Sequence, residues 1–197
     1  VLDDAVLEVL RVVPRERFVP DAYRAAAFAD MEIPLGHGQH MLPPKVDGRM
    51  LQALAPARGD EVLEVGTGSG FLAACLAQLA GRVRSLEIHP DLAAAAARTL
   101  DALGVPNVTV ECADATVFAE EDRYDAIALT ASLPVYDARF ERALKPGGRL
   151  FVVVGAAPIM EARLVTRAGA DQWVSRSLFE TCIDPMINAA RPPRFQF

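Results

Sequence analysis

Three glycines alternate with other residues in segment 64–70, which is Glu-Val-Gly-Thr-Gly-Ser-Gly. Glycine lets the backbone turn tightly and lets a ligand approach it without a Cβ in the way. The free N–H groups of a helix beginning after Gly70 would add hydrogen-bond donors. The spacing differs from the GxGxxG of dinucleotide sites and from the GxxxxGK[ST] of P-loops. The segment therefore predicts a different ligand-binding turn, with a plain strand-to-helix turn as the alternative.

Two acidic residues favour a nucleoside as the ligand. Glu87 ends a second strand, 17 residues after Gly70, where a carboxylate can accept hydrogen bonds from both ribose hydroxyls. Asp114 follows a third strand, where it can accept a hydrogen bond from an adenine amino group. Taken alone, Glu87 is also explained as a solvated charge at a strand end. Together, the three strand ends converge on the crevice where open α/β sheets bind ligands.

The histidines His37, His40 and His89 raise the question of a metal site. The first two lie three residues apart in a proline-rich segment, and no cysteine or carboxylate cluster accompanies them. We therefore expect no metal site. His40 is instead a candidate partner for a carboxylate, or a proton acceptor. We expect four aromatic residues of the C-terminal region to pack in the core or hairpin: Trp173, Phe179, Phe195 and Phe197.

The elements that must position these residues alternate between strand and helix after residue 60. Strands are predicted at 61–65, 82–88, 107–112, 124–130 and 149–155, with helices at 71–79, 91–103 and 135–144 and a turn at 146–148. Segments 161–166 and 173–183 alternate like antiparallel strands. The pattern predicts an α/β, Rossmann-like doubly wound fold. Its sheet is seven-stranded and mostly parallel, with an antiparallel C-terminal hairpin.

The N-terminal third is predicted to be helix and loop, with helices at 3–12, 21–29 and 46–54. Three prolines and two glycines predict an irregular loop over 33–44. We expect one domain of three parts. Residues 1–59 form a substrate-side segment, 60–155 a cofactor-binding core and 156–197 the C-terminal strands.

Composition excludes several classes of protein. The 197 residues carry 20 basic and 26 acidic side chains, a net charge of −6, and the arginines are scattered. We therefore expect no nucleic-acid partner. No apolar stretch reaches the roughly 18 residues of a membrane span, so no membrane partner is expected. Three cysteines without a CxxC motif predict buried free thiols and a reducing, cytoplasmic location. A monomer is favoured over an oligomer.

Segments 62–70, 87–90 and 144–150 resemble the motifs of Class I S-adenosylmethionine-dependent methyltransferases. The resemblance implies S-adenosylmethionine as cofactor and S-adenosylhomocysteine as product. A nicotinamide dehydrogenase is a disfavoured alternative, because the GxGxG spacing and the turn at 146–148 do not suit one. The implied cofactor-binding residues are Glu64, Gly66, Thr67, Gly68, Ser69, Gly70, Glu87, Ile88, Ala113, Asp114, Ala115 and Ala131.

Segments 13–20 and 33–39 resemble the protein-L-isoaspartate O-methyltransferases, which read VPRExFVP and later P-[IL]-G-x-G-Q-T-I-S-x-P. That resemblance implies methyl transfer to the α-carboxylate of isoaspartyl residues in proteins or peptides, a step in protein repair. Here Leu42 replaces the family's serine and His40 its threonine. Gln39, His40 and Leu42 are the predicted catalytic loop, with Ala131 and Ser132 as the opposite wall. The alternatives are a methyltransferase of this fold with another acceptor, and a non-catalytic S-adenosylmethionine-binding protein.

Overall fold

The computed structural model describes Val1 and residues 3–193 of the chain. Seven strands form one sheet in the order β5-β4-β3-β6-β7-β8-β9, and two short strands, β1 and β2, form a separate hairpin. In chain order the nine strands are Ile33–Gly36, Gln39–Met41, Glu61–Val65, Arg82–Glu87, Val108–Cys112, Tyr124–Leu133, Leu144–Ala156, Ile159–Gly169 and Gln172–Thr181.

The sheet is parallel from β5 to β7, and the last two strands are antiparallel. The order reverses beside β3, which pairs with β4 on one side and β6 on the other. In an open α/β sheet this reversal opens a crevice at the carboxyl ends of the strands. The Rossmann-like, mostly parallel seven-stranded sheet with an antiparallel C-terminal hairpin is therefore confirmed.

Five α-helices and three short 3₁₀ helices accompany the strands. Asp3 caps α1 by accepting a hydrogen bond from the Val6 N–H at 3.0 Å. Prolines, which have no N–H to leave unpaired, begin α2 and α4. The α-helices are α1 Asp4–Val12, α2 Pro44–Leu54, α3 Phe71–Leu79, α4 Pro90–Ala102 and α5 Arg139–Arg142; the 3₁₀ helices are Arg15–Arg17, Asp21–Ala26 and Ala115–Val117.

Alternate residues of the central strands bury their side chains on opposite faces of the sheet. Val62 of β3 belongs to a core shared with α1, α2 and α3, whereas Leu63 belongs to a core shared with Phe140 of α5. Both residues are fully buried, which explains why β3 is a continuous apolar run. Among the described residues, no helix has the length and apolar character needed to cross a membrane.

The irregular loop predicted for 33–44 is wrong, because this segment contains the β1–β2 hairpin. Ile33 pairs with Met41 and Pro34 with His40. The two-residue turn His37-Gly38 has positive φ at both residues, the geometry that suits a tight hairpin turn. Pro34 is tolerated here because each strand of a two-stranded hairpin has a free edge. A residue without an N–H group breaks no hydrogen bond at such an edge.

Other predicted elements differ in extent or type. Segment 21–29 forms a 3₁₀ helix over Asp21–Ala26, and the helix predicted for 135–144 is reduced to α5. The predicted turn at 146–148 lies within β7, as an irregularity between the pairs Tyr124–Leu144 and Ala126–Arg149. The prediction of buried thiols is correct for Cys75 and wrong for two cysteines at strand ends, where solvent reaches the side chain: Cys112 and Cys182 are exposed.

Candidate active site

A crevice lies beyond the carboxyl ends of β3, β4, β5 and β6. The empty space within it, including the part that is open to solvent, is about 730 Å³. Its lining comprises Glu32, Leu35, Gln39, His40, Leu42, Val65, Gly66, Gly68, Leu86, Glu87, Ile88, Leu92, Ala113, Asp114, Ala115, Thr130, Ala131, Asp184, Met186 and Ile187.

The glycine turn between β3 and α3 forms one wall of this crevice. Gly66 has a φ of +94° and Gly68 a φ of +53°. Residues other than glycine rarely adopt these backbone conformations. A Cβ at Gly66 would also collide with the hydroxyl oxygen of Thr130. That hydroxyl lies 2.7 Å from the Gly66 carbonyl, to which it donates. The turn is therefore specified by both its backbone conformation and its neighbour on β6.

Glu87 couples the second strand end to the glycine turn. One carboxylate oxygen accepts from the Gly68 N–H at 2.8 Å, and the other accepts from the His89 N–H at 3.0 Å. Each oxygen retains a further lone pair, so the group can still accept from a ligand hydroxyl. The backbone bonds orient this buried carboxylate in the wall of the crevice.

Asp114 occupies the third strand end. It accepts hydrogen bonds from the Thr116 N–H at 2.8 Å and from the Asn188 side-chain amide at 2.9 Å. Burial opposes ionisation of this carboxyl, but these hydrogen bonds outweigh it and lower the pKa of Asp114. The crevice therefore presents an ionised carboxylate beyond β5, and apolar groups of Ile88, Ala113 and other lining residues lie around it.

A smaller cavity of about 310 Å³ adjoins the crevice beneath the glycine turn. Glu64 lines it and is fully buried. The Ser85 hydroxyl donates to one of its carboxylate oxygens, and the other oxygen has no hydrogen-bond partner. Burial raises the pKa of Glu64 to about 8, and that of Asp47, which also lines the cavity, to about 7. A buried carboxyl group with one unpartnered oxygen thus borders this cavity.

The predicted cofactor residues divide among three places. Thr67 and Ser69 line the smaller cavity with Glu64 rather than the main crevice. Gly70 lines neither cavity; it is the N-cap that precedes α3, and a Cβ there would lie 3.2 Å from the Ala96 Cβ of α4. Its role in the structure is close helix packing. The remaining predicted cofactor residues line the main crevice: Gly66, Gly68, Glu87, Ile88, Ala113, Asp114, Ala115 and Ala131.

The β1–β2 hairpin and the start of α2 place the predicted catalytic loop at the other side of the crevice. Gln39, His40 and Leu42 all line it. The buried Arg15 side chain fixes Leu42 by donating to its carbonyl at 2.5 Å, while a second guanidinium N–H donates to Asp47 at 2.7 Å. Leu42 itself is 7% exposed and offers only carbon atoms to a ligand.

His40 contacts a carboxylate that sequence reasoning missed. Its Nδ1 lies 2.9 Å from Oδ2 of Asp184, 144 residues further along the chain. Glu32 lines the same side, and burial, reinforced by the charge of Asp184, raises its pKa. A lone aspartate after β9 carried no signal that could have placed it here. The other crevice residues not predicted are Leu35, Val65, Leu86, Leu92, Thr130, Met186 and Ile187.

Ser132 does not face the crevice as predicted. It is fully buried, and its backbone pairs with the segment after β9: its N–H donates to the Asp184 carbonyl at 2.8 Å, and its carbonyl accepts from the Met186 N–H at 2.8 Å. Ala131 does line the crevice. Ser132 therefore holds the C-terminal segment against β6, and residues of that segment line the crevice.

The other histidines lie outside the crevice lining. His37 contacts Asp91 at 2.9 Å, and its ring stacks on that of His89 with centroids 4.0 Å apart. The part of the chain that the structure describes contains no group of three or more histidine, cysteine or acidic side chains placed to hold a metal.

Two of the C-terminal aromatic residues pack as predicted. Trp173 packs against the core that contains Leu63, and Phe179 against the core that contains Val62. Phe195 and Phe197 lie outside the described residues.

Three features together define the class of Rossmann-like methyltransferases. They are the parallel sheet whose strand order reverses beside β3, the glycine turn and the acidic strand ends. Comparison with known proteins narrows the class. A family model described as protein-L-isoaspartate(D-aspartate) O-methyltransferase matches residues 1–188. The chain belongs to the protein-L-isoaspartate O-methyltransferase family.

Named relatives agree along most of the chain. A Marinobacter nauticus protein-L-isoaspartate O-methyltransferase is 37% identical over 187 residues, which are 94% of this chain and 85% of the relative. A Syntrophobacter fumaroxidans protein-L-isoaspartate O-methyltransferase is 42% identical over 164 residues, which are 83% of this chain and 77% of the relative.

A solved structure from Plasmodium falciparum, assigned to these enzymes and containing S-adenosyl-L-homocysteine, superimposes with a TM-score of 0.82. It covers 94% of this chain and 91% of the other at 20% identity, a likeness that shows the fold.

Proposed function

We propose that this chain transfers a methyl group from S-adenosylmethionine to the α-carboxylate of isoaspartyl residues in proteins or peptides. The proposal is supported by family membership over residues 1–188 and by one observation above the others. A single crevice joins Glu87 and Asp114, at adjacent strand ends, to Gln39 and His40 on the hairpin. A nucleoside cofactor and an acceptor can therefore lie next to each other.

The residues present fit an S-adenosyl amino acid. Glu87 can accept from ribose hydroxyls and Asp114 from an adenine amino group, with Ile88 and Ala113 offering apolar contact to the base. Buried Glu64, with one oxygen unpartnered, borders the smaller cavity, and a cationic amino group bound there would favour its ionised, accepting form. When bound, S-adenosylmethionine supplies a methyl group already activated by its sulfonium sulfur.

A carboxylate acceptor needs no general base, because it is already anionic at neutral pH. Its oxygen forms the new O–CH₃ bond while the C–S bond breaks, the electron pair stays on sulfur, and no proton is transferred. The protein has to align the reacting atoms and exclude water. We propose that residues 60–155 hold the cofactor, and that 1–59 and 156–197 shape the acceptor site.

A second candidate is methyl transfer to another acceptor, favoured by one observation. The family's serine position carries Leu42, which offers no polar contact, and His40 with its carboxylate partner could instead take a proton from a hydroxyl or an amine. A non-catalytic cofactor-binding protein is a third candidate. Turnover with any acceptor excludes it.

Incubation with radiolabelled S-adenosylmethionine and an isoaspartyl peptide tests the proposal, with the aspartyl peptide of the same sequence as control. We expect base-labile methyl ester on the isoaspartyl peptide alone. Leu42→Ser restores the family residue and adds a hydroxyl to the acceptor side. Ester formation at background level in the parent, but not in this variant, would favour the second candidate.

A further inference from the structure

The contact between His40 and Asp184 joins two segments from opposite ends of the chain. The Nδ1–Oδ2 distance is 2.9 Å, and the two side chains are 33% and 27% exposed, so solvent and ligands reach both. An ionised carboxylate only accepts hydrogen bonds, so the ring donates through Nδ1. Nε2 is then the nitrogen left for a ligand in the crevice that His40 lines.

Asp184 is held in place by the sheet and is not part of a free tail. Near the end of β6, the backbone of Ser132 forms a bridge with Pro185, bonding to the Asp184 carbonyl before it and the Met186 N–H after it. The Ser132 hydroxyl also lies 3.3 Å from the Ile183 carbonyl. A carboxylate anchored in this way restricts the orientation of the ring that it contacts.

We propose that Asp184 is a positioning residue that orients His40 so that the protonated ring donates a hydrogen bond from Nε2 to one oxygen of the acceptor carboxylate. The other oxygen is left to attack the methyl group. His40 thereby supplies the polar contact that Leu42 cannot make. This inference rests on the proposed function, since it takes the acceptor to be a carboxylate.

The direction of the pH dependence follows from the role of the ring. A carboxylate acceptor needs a proton on Nε2, so turnover falls as rising pH removes that proton. A hydroxyl or amine acceptor would need the neutral ring as base, and turnover would rise instead. The ionisable groups that share the two cavities with His40 are Glu32, Asp184, Glu87, Asp114, Asp47 and Glu64.

Nitrogen NMR tests the positioning without any turnover. The chain has three histidines, so long-range ¹H–¹⁵N spectra can be assigned by replacing each in turn. We expect the Nδ1 of His40 to carry a proton in the parent, donated to Asp184, and the Nδ1 signal to change in Asp184→Asn, where an amide replaces the carboxylate that accepts this hydrogen bond. The matched control is Asp91→Asn, which removes the partner of His37 and should leave His40 unchanged. An unprotonated Nδ1 in the parent, or identical His40 signals in Asp184→Asn, would overturn the inference.

Kinetics test the role in acceptor binding. Asp184→Asn should raise the KM for the isoaspartyl peptide about 10- to 100-fold, since a hydrogen bond to a charged group is misplaced. The KM for S-adenosylmethionine should stay within about twofold, which a general loss of structure would not allow. His40→Gln, which keeps an N–H donor without titrating, should flatten the fall with pH.

Different results refute the proposed function and the role assigned to Asp184. A parent that forms no methyl ester refutes the proposed function, and with it the assigned acceptor of His40. A parent that forms the ester while Asp184→Asn keeps its peptide KM refutes the inference alone.

Discussion

Replacing Glu64 by glutamine is expected to stabilise the folded chain relative to the parent, increasingly as the pH rises. Glu64 is fully buried on β3. Burial raises its pKa from 4.5 to about 8, opposed by the hydrogen bond from Ser85 and reinforced by the charges of Asp47 and Glu87. The folded chain therefore binds this proton more tightly than the unfolded chain. Unfolding releases it, so rising pH favours unfolding.

The magnitude follows from the two pKa values. Between about pH 5.5 and pH 7.5 the side chain is ionised in the unfolded chain and mostly protonated in the folded chain. Through this group the free energy of unfolding of the parent then falls by about 1.4 kcal/mol per pH unit. Over the whole window the loss is about 2.5 kcal/mol, because Glu64 of the folded chain begins to ionise near pH 7.5. Glutamine does not titrate. The stability of Glu64→Gln relative to the parent should thus rise by about 2.5 kcal/mol.

Urea denaturation followed by the fluorescence of Trp173, the single tryptophan, measures the difference at both pH values. Comparing the two values removes any constant effect of the changed hydrogen bond. Glu111→Gln is the matched control: the hydrogen bond from Arg84 lowers the pKa of Glu111, so this carboxylate is ionised in both states throughout the window. Its stability difference should not vary with pH. A pH-independent difference for Glu64→Gln would refute the claim that burial keeps this carboxyl protonated.

Three further substitutions test the framework of the site. Arg15→Met should lower the free energy of unfolding by about 3–5 kcal/mol in urea denaturation, because it leaves Asp47 buried without its partner; the double variant with Asp47→Leu should recover most of this loss. Gly68→Val should weaken S-adenosylhomocysteine binding more than about tenfold by calorimetry, since φ is +53° and the new Cβ would lie 3.1 Å from Leu35 Cδ1. Asp114→Ala should weaken that binding about 10- to 100-fold. Unchanged affinity in both variants would mean that the cofactor site lies elsewhere.

The side of the crevice that we propose holds the cofactor was predictable from the sequence. Gly66, Glu87 and Asp114 each follow or end a strand, and parallel strands place their carboxyl ends at one edge of the sheet. Once the alternation of strands and helices is recognised, the convergence of these residues follows from topology. Glu64 was predicted as a cofactor residue, but its complete burial and raised pKa depend on the packing around β3.

The acceptor side was only partly predictable. Gln39, His40 and Leu42 were chosen from a motif, and they do line the crevice, yet the hairpin that carries them was predicted to be an irregular loop. Proline and glycine counts indicate that a helix is absent, but they cannot distinguish a loop from a short hairpin closed by residues with positive φ. The backbone hydrogen bonds between β1 and β2 determine which of the two forms, and residue counts do not predict those bonds.

The sequence by itself determined the class of fold, the glycine turn and the acidic strand ends, because strand periodicity and turn chemistry act over a few neighbouring residues. Only the tertiary structure decided that Asp184 contacts His40, 144 residues away in the chain. It also decided that Ser132 bonds to the backbone of Asp184 and does not line the crevice. Such contacts depend on which strand ends lie next to each other in the folded sheet, and no local pattern encodes them. The contact between His40 and Asp184 on the proposed acceptor side therefore depends on the topology of the folded sheet.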